Sequence, residues 1–375
     1  MERFHDPDQI GGRVDFDPRA CVVHFDFGAM RGMRAVVLHG HGGPERLAFV
    51  EDVPRPEPES GEVLIRVRAT SVNRVDLVVR EGYPGIEVRF PHILGADVAG
   101  VVECLGPGVE GVREGDRVLA WPLVACGRCP LCARGRPGLC VNWQYLGLHR
   151  HGAYAEHVRV PTSSLIPLPE GVPFEEAATL PVAGLTAYHA LVGVGGLQRG
   201  ETLLVWGASG GVGTFAVQIA KRLGARVIAT TRADGKRAQL EALGADWVLN
   251  PRREDVEAAV RELTGGLGVD VVLDYVGPAT FPTSFRVLRK GGRLLLCGIL
   301  TGREVAFSIH QTYLRHLSVL GLYLGEKPEL EALLRWVAAG ELRPVIDRVL
   351  PLREAPRAHR LLESGEVFGK IVLTC

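Results

Sequence analysis

The sequence predicts an α/β protein of two unlike parts, a small β-barrel followed by a doubly wound parallel sheet. Three observations carry this. Between about residues 33 and 161 the chain reads as short strand-like runs broken by Gly and Pro. After about Glu175, strand-like runs alternate with helical periods, the pattern of parallel strands joined by crossover helices. One of those later strands runs into a Gly-rich turn that opens directly into an apolar-periodic helix.

In the first part, a strand-like run at 33–38 precedes a Pro-rich stretch near Val53 and an alternating run from Val63. Turn-punctuated strands follow near Val101 and Val118. The second part offers six strand runs, at 202–206, 226–230, 246–250, 269–274, 292–297 and 317–323. The tail from Glu329 reads as two helices and closing strands that return to the first part.

With 375 residues there is room for two cores, and 46% apolar residues is ordinary for a globular protein. Lys+Arg and Asp+Glu are both 43, so the net charge is zero and nothing points to a nucleic-acid or membrane-surface partner. No apolar run is expected to reach the length of a bilayer span. Residues 1–32 are rich in Asp and lack a sustained apolar core, unlike a secretory signal or a transit peptide. A cytoplasmic location and a dispensable N-terminal extension are the expectations.

The Gly-rich turn follows strand 202–206 and reads Ala208-Ser209-Gly210-Gly211-Val212-Gly213. In a G-x-G-x-x-G register, Gly210 lets backbone approach a pyrophosphate and Gly213 lets the helix pack closely on the strand. The helix N-terminus favours the negative charge. This predicts a dinucleotide site. The second strand ends at Thr231 and Arg232, with Lys236 close by, where an acidic residue would bind the 2′-hydroxyl of NAD. A hydroxyl and two cations suit a 2′-phosphate, so NADP(H) is expected in preference to NAD(H).

Four of the eight cysteines are clustered as Cys126, Cys129, Cys132 and Cys140, a C-x2-C-x2-C-x7-C spacing. Four thiolates so placed close a tetrahedron around one structural Zn²⁺ and leave no open position. An iron–sulfur cluster is the alternative.

These segments together resemble the medium-chain dehydrogenase/reductase superfamily, from Met33 to the end of the chain. The resemblance is carried by Gly95-Ala96-Asp97, Gly115-Asp116-Arg117-Val118, the four-Cys lobe, Gly184-Leu185-Thr186-Ala187-Tyr188, the Gly210–Gly213 turn and Phe368-Gly369-Lys370. It implies a GroES-like catalytic barrel over 33–170 with a zinc lobe at about 122–145. It further implies a Rossmann cofactor domain over 171–323, a segment 324–375 returning to the barrel, an active site in the cleft between, and a homodimer or homotetramer.

Zinc-dependent alcohol dehydrogenases of this superfamily hold a second, catalytic zinc. The matching positions here are Asn73, Ala96 and Val182, none a usual zinc ligand, and the relay hydroxyl position is Val75. Asn73 and Asp97 resemble instead the quinone oxidoreductase and zeta-crystallin branch. The resemblance implies hydride transfer to a small quinone or α,β-unsaturated carbonyl, with Asn73 and Tyr83 as candidate donors to the substrate oxygen. Tyr83 read as a loop aromatic packed on the barrel is equally compatible with the residues. Thr186 resembles a position near the nicotinamide amide, and Lys370 one near the cofactor phosphates. Val276, Gly277, Gly298 and Ile299, at the ends of late strands, should face the nicotinamide half. His149 and His151 read as surface or hydrogen-bonding histidines. An alcohol dehydrogenase with an atypical site and a non-catalytic NADPH-binding protein are the alternatives.

Overall fold

The computed structural model describes residues 32–82, 85 and 87–375. The expected extension (save Gly32) and Tyr83 lie outside the described residues.

The strand Glu62–Ser71 is the hub of the first part. Its alternation turns Val63, Ile65 and Val67 into a core with Val98, Val102, Val118, Val158 and Val160, while Arg66 and Arg68 face solvent. It pairs antiparallel with Val98–Leu105 on one side, and with His157–Pro161 and Lys370–Thr374 on the other. The sheet continues through Arg117–Ala120 to Leu165–Pro167 at one end and to Ile346–Pro351 at the other. The last strand of the chain therefore completes the sheet of the first part.

All six strand runs read in the second part form. Thr202–Val205, Arg226–Thr230, Trp247–Leu249, Val269–Asp274, Leu288–Leu296 and Ser318–Gly321 make one parallel sheet. Taken in chain order, they stand 3-2-1-4-5-6. The order reverses between the first and fourth strands, and in sheets of this order the ligand crevice lies outside the carboxyl ends at that point.

Phe174–Val194 forms a helix of 21 residues with π turns at Leu180–Gly184 and His189–Val194. By length and composition it is apolar enough to cross a membrane, which corrects the expectation that no such run exists. Of its most apolar window, 67% is buried inside the protein. It packs against the helices Gly211–Arg222 and Lys327–Ala338, so its apolar faces are covered by protein.

Candidate active site

The Gly-rich turn sits at the carboxyl end of Thr202–Val205, and Gly210 caps the helix Gly211–Arg222. A Cβ on Gly213 would lie 2.5 Å from Ala208 Cα, so only Gly permits this helix to approach the turn. Ala208 N–H donates to Thr230 O at 2.8 Å, joining the turn to the second strand. Gly369 N–H donates to Ser209 O at 2.9 Å, joining the same turn to the start of the last barrel strand. The turn thus lies on the seam between the two parts, with helix N–H groups free to meet an anion.

Across this seam three loops converge on Asp97, which is fully buried. Its Oδ1 accepts the Val182 N–H at 3.0 Å. Pro181 has no N–H, and the widened π turn leaves that of Val182 directed at the carboxylate. Its Oδ2 accepts the Ser71 hydroxyl, and Asn73 Nδ2 at 2.7 Å. The ammonium of Lys370 lies 3.7 Å away, and donates to Asn73 Oδ1 and to Val72 O. Burial pushes the Asp97 carboxyl up and the Lys370 ammonium down, and each is the other's main compensating charge.

The cysteine lobe stands apart from this cleft floor. The four sulfurs of Cys126, Cys129, Cys132 and Cys140 lie within 4.8 Å of one another, the geometry of a closed four-ligand site. Between residues 126 and 142 only Cys129 and Cys140 are buried. The N–H groups of Cys132 and Val141 bring Cys129 down to about 6, whereas burial and the sulfurs of Cys129 and Cys140 push Cys132 up to about 12. Four sulfurs this close cannot all be thiolates without a cation among them. The residues fit one Zn²⁺.

Two families of known proteins match the chain, "Alcohol dehydrogenase GroES-like domain" over residues 59–170 and "Zinc-binding dehydrogenase" over 211–339. An alcohol dehydrogenase of Geobacillus stearothermophilus is 34% identical over 342 residues, 91% of this chain and 99% of the relative. The chain belongs to the medium-chain dehydrogenase/reductase superfamily. An acryloyl-coenzyme A reductase of Metallosphaera sedula is 32% identical, over 91% of this chain and all of its own. A crystal structure of an NAD-dependent alcohol dehydrogenase superposes with a TM-score of 0.87 at 44% identity, covering 92% of this chain and 100% of that one.

As a medium-chain dehydrogenase/reductase, the chain is an oxidoreductase that uses a nicotinamide cofactor. The catalytic metal of the zinc-type members does not fit these residues. Ala96 offers a methyl group, Val182 an isopropyl group, and Asn73 a carboxamide already engaged on every side. Among the described residues, the four cysteines are the only group of three or more His, Cys, Asp or Glu placed to hold a metal.

The same engagement corrects the role expected for Asn73. One Nδ2 proton is on Asp97 and the other on Ser71 O at 3.2 Å, while Oδ1 faces Lys370. The amide is 5% exposed and turned inward, so it braces the floor and has no proton left for a substrate oxygen. Lys370 is corrected likewise. Its stem runs beside the Gly-rich turn, where a Cβ on Gly211 would meet Lys370 Cδ at 2.6 Å, but its ammonium is buried under Asn73.

At the end of the second strand, Thr231 Oγ1 donates to Ser209 Oγ at 3.3 Å, which places two hydroxyls beside the turn. Arg232 is exposed there. Lys236 is partly committed elsewhere, because its ammonium donates to Gly365 O at 2.7 Å and Val367 O at 2.9 Å, which leaves one of its three N–H donors. Arg74, absent from the sequence expectations, is a second cation whose charge reaches Arg232. Its pKa is lowered by burial, and Arg232 is close enough to lower it further. Its position next to Asn73 was the available signal.

The remaining expected residues lie at the ends of strands or beside the seam. Val276 and Gly277 both donate N–H to Asp274 Oδ1, at 2.9 and 3.0 Å, fixing the end of the fourth strand. Gly298 packs so close that a Cβ would lie 2.3 Å from Tyr275 O, and Ile299 is 42% exposed beyond it. Thr186, 8% exposed, lies within the Phe174–Val194 helix.

Proposed function

We propose that this protein reduces a quinone, or a carbon–carbon double bond conjugated to a carbonyl as in an enone or enoyl thioester, without a catalytic zinc. The observation that carries the reading is the cleft floor. Where a catalytic metal would need three ligands, the chain has an inward-turned amide, a methyl group and an isopropyl group, closed beneath by the Asp97–Lys370 pair. The bound cofactor supplies the hydride. The protein's own residues brace the floor, exclude water and present donors to the substrate oxygen, for which backbone amides and Tyr83 are the candidates. The name of the Metallosphaera sedula relative, an acryloyl-coenzyme A reductase, supports a conjugated thioester as one substrate class. The names of the alcohol dehydrogenase relatives favour a second reading, an alcohol dehydrogenase of atypical site. A third, a non-catalytic NADPH-binding protein, predicts binding without turnover. Consumption of reduced cofactor with quinones, enones, acryloyl and crotonyl thioesters and aldehydes, together with reduction of oxidised cofactor by alcohols, separates the three.

NADPH is proposed as the preferred cofactor, on Thr231 and Arg232 with Arg74 beside them. Arg232→Ala is expected to weaken NADPH binding about tenfold or more, in keeping with ~1.5–3 kcal/mol for a hydrogen bond to a charged group. NADH affinity should stay nearly unchanged. Fluorescence titration with both cofactors reads this, and an equal loss for both would remove Arg232 from the 2′-phosphate.

A homodimer or homotetramer is proposed on the edge of the parallel sheet. Among the described residues Ser318–Gly321 is paired on one side only, and beside it Ile309 is 78%, Tyr313 64% and Leu314 50% exposed. An open edge flanked by apolar side chains is a surface that association covers. Sedimentation velocity at micromolar concentration should show at least two chains per particle, and Ile309→Glu should shift it toward one. A monomeric wild-type protein would overturn this assignment.

A further inference from the structure

Behind the cleft floor runs a second buried polar column that the proposed reduction does not use directly. Asp76, in the first turn of the helix Arg74–Glu81, is 2% exposed. Its Oδ2 accepts Asn73 N–H at 2.7 Å and its Oδ1 accepts Gly95 N–H at 3.3 Å. One carboxyl group thereby holds two of the three loops that meet at Asp97. Tyr154 Oη lies 3.2 Å from Asp76 Oδ2 and 3.2 Å from His359 Nε2. His359 Nδ1 lies 3.2 Å from a terminal nitrogen of Arg80, whose guanidinium is anchored on Gly42 O at 2.9 Å and on Glu363. Tyr154 and Arg80 are essentially inaccessible, and His359 is fully buried.

The direction of every bond in this column follows from its last member. A guanidinium only donates, so His359 Nδ1 must accept. Nε2 then carries the ring proton and donates to Tyr154 Oη. The tyrosyl proton is left to point at Asp76. We propose that Arg80, His359 and Tyr154 are positioning residues, a one-way donor chain that keeps Asp76 a carboxylate and so holds the Asn73 and Gly95 loops in register beneath the substrate. The proposal deepens the reductase reading by naming what holds its floor.

Opposing influences act on Asp76. Burial is the largest and raises its pKa to about 7, and the negative charge of Asp97 adds to that. The Asn73 N–H, the Lys370 ammonium and the Tyr154 hydroxyl oppose it. His359 stays neutral in this setting, because burial and the charge of Arg80 bring it down to about 3. The groups facing Asp76 are therefore Asp97 from the strand loop, Lys370 from the last strand, Tyr154 from its loop, and His359 and Arg80 behind it. The hold on the two loops is present while Asp76 is ionised and is lost as pH falls through its midpoint. For stability the sign is the reverse. A carboxyl with a raised pKa binds its proton more tightly when folded, so its contribution favours folding at low pH and fades as pH rises through the folded value.

The test is an amide titration by ¹⁵N–¹H NMR on the full-length protein, which requires no substrate and is therefore independent of the reductase reading. The backbone amides of Asn73 and Gly95 should titrate together, near neutral pH. The carboxamide protons of Asn73 report Asp97 separately. Tyr154→Phe should raise the common midpoint by about one to two pH units, the size expected for removing one charge-assisted hydrogen bond. His359→Leu should move it the same way by less. His359→Gln should restore the wild-type midpoint, because a carboxamide also accepts on one atom and donates from the next. Separate titration of the two amides in the wild-type protein overturns the proposal without recourse to any variant. So does a midpoint that His359→Leu leaves in place.

Discussion

Replacing Cys129 by Ser is expected to strip the chain of its metal, from one zinc to nearly none, and to lower its melting temperature by on the order of 10 °C. The physical reason is the poverty of the lobe. Leu139 and Val141, the apolar residues flanking Cys140, are 50% and 65% exposed, so the segment has no side-chain core of its own. What organises it is the convergence of four sulfurs, among them Cys129 Sγ at 3.5 Å from Cys132 Sγ. Structural zinc in small domains contributes roughly 10–16 kcal/mol of folding free energy, so a lost ligand removes several kcal/mol. Metal analysis by mass spectrometry gives the stoichiometry. Limited proteolysis should cut Cys129→Ser first within residues 126–142. A wild-type protein with two zincs per chain would contradict the reading of the cleft floor, and an iron-containing one would replace zinc by a cluster.

Reduced cofactor should be consumed at least ~10³-fold faster with a conjugated carbonyl or quinone than with a simple aldehyde, and simple alcohols should not be oxidised efficiently. The argument concerns the substrate oxygen. An aldehyde must become an alkoxide. A zinc site assists by lowering the pKa of a bound water from about 15.7 to about 7, equivalent to roughly 12 kcal/mol. Asn73, Ala96 and Val182 supply no such assistance. A quinone yields a phenolate-like oxygen of pKa ~10, which reduces the demand by roughly 8 kcal/mol. A few preorganised hydrogen bonds, each worth ~10²–10³ in rate, meet what remains. An enolate is intermediate. The measurement is the loss of reduced cofactor absorbance with the carbonyl substrates, and its gain from oxidised cofactor with the alcohols. Rapid oxidation of a simple alcohol, abolished by a chelator that leaves the lobe zinc in place, would establish a catalytic metal and reject this reading.

Much of the frame was legible because it rests on local chemistry. Each strand of the parallel sheet is a short apolar run bounded by turns, and the dinucleotide turn is written in consecutive residues from Ala208 to Gly213. The need for Gly at 213 follows from a helix packed on a strand, and the structure places Ala208 Cα where a side chain would have to go. The cysteine site was legible in the same way, since three of its ligands lie within seven residues. Folding brings Asn73 and Val182 together at Asp97, the residue after Ala96, but what Asn73 does there is not written in its neighbours. A carboxamide offers the same atoms whether it faces a substrate or a buried ion pair, and the choice depended on Lys370, 297 residues away. Lys236 is a similar case. Its ammonium is claimed by carbonyls at Gly365 and Val367, more than 120 residues on.

The amino-acid sequence by itself determined the two-part architecture, the Gly-rich turn between strand and helix, and the four-sulfur lobe, because periodicity, turn chemistry and ligand spacing act over a few residues. Only the tertiary structure decided which polar groups are free and which are spent. It closed Asn73 and Lys370 into the floor, brought Arg74 beside Arg232, and joined Asp76 to His359 through Tyr154. A buried polar group must find a partner wherever folding brings one, and that partner is set by the approach of distant segments.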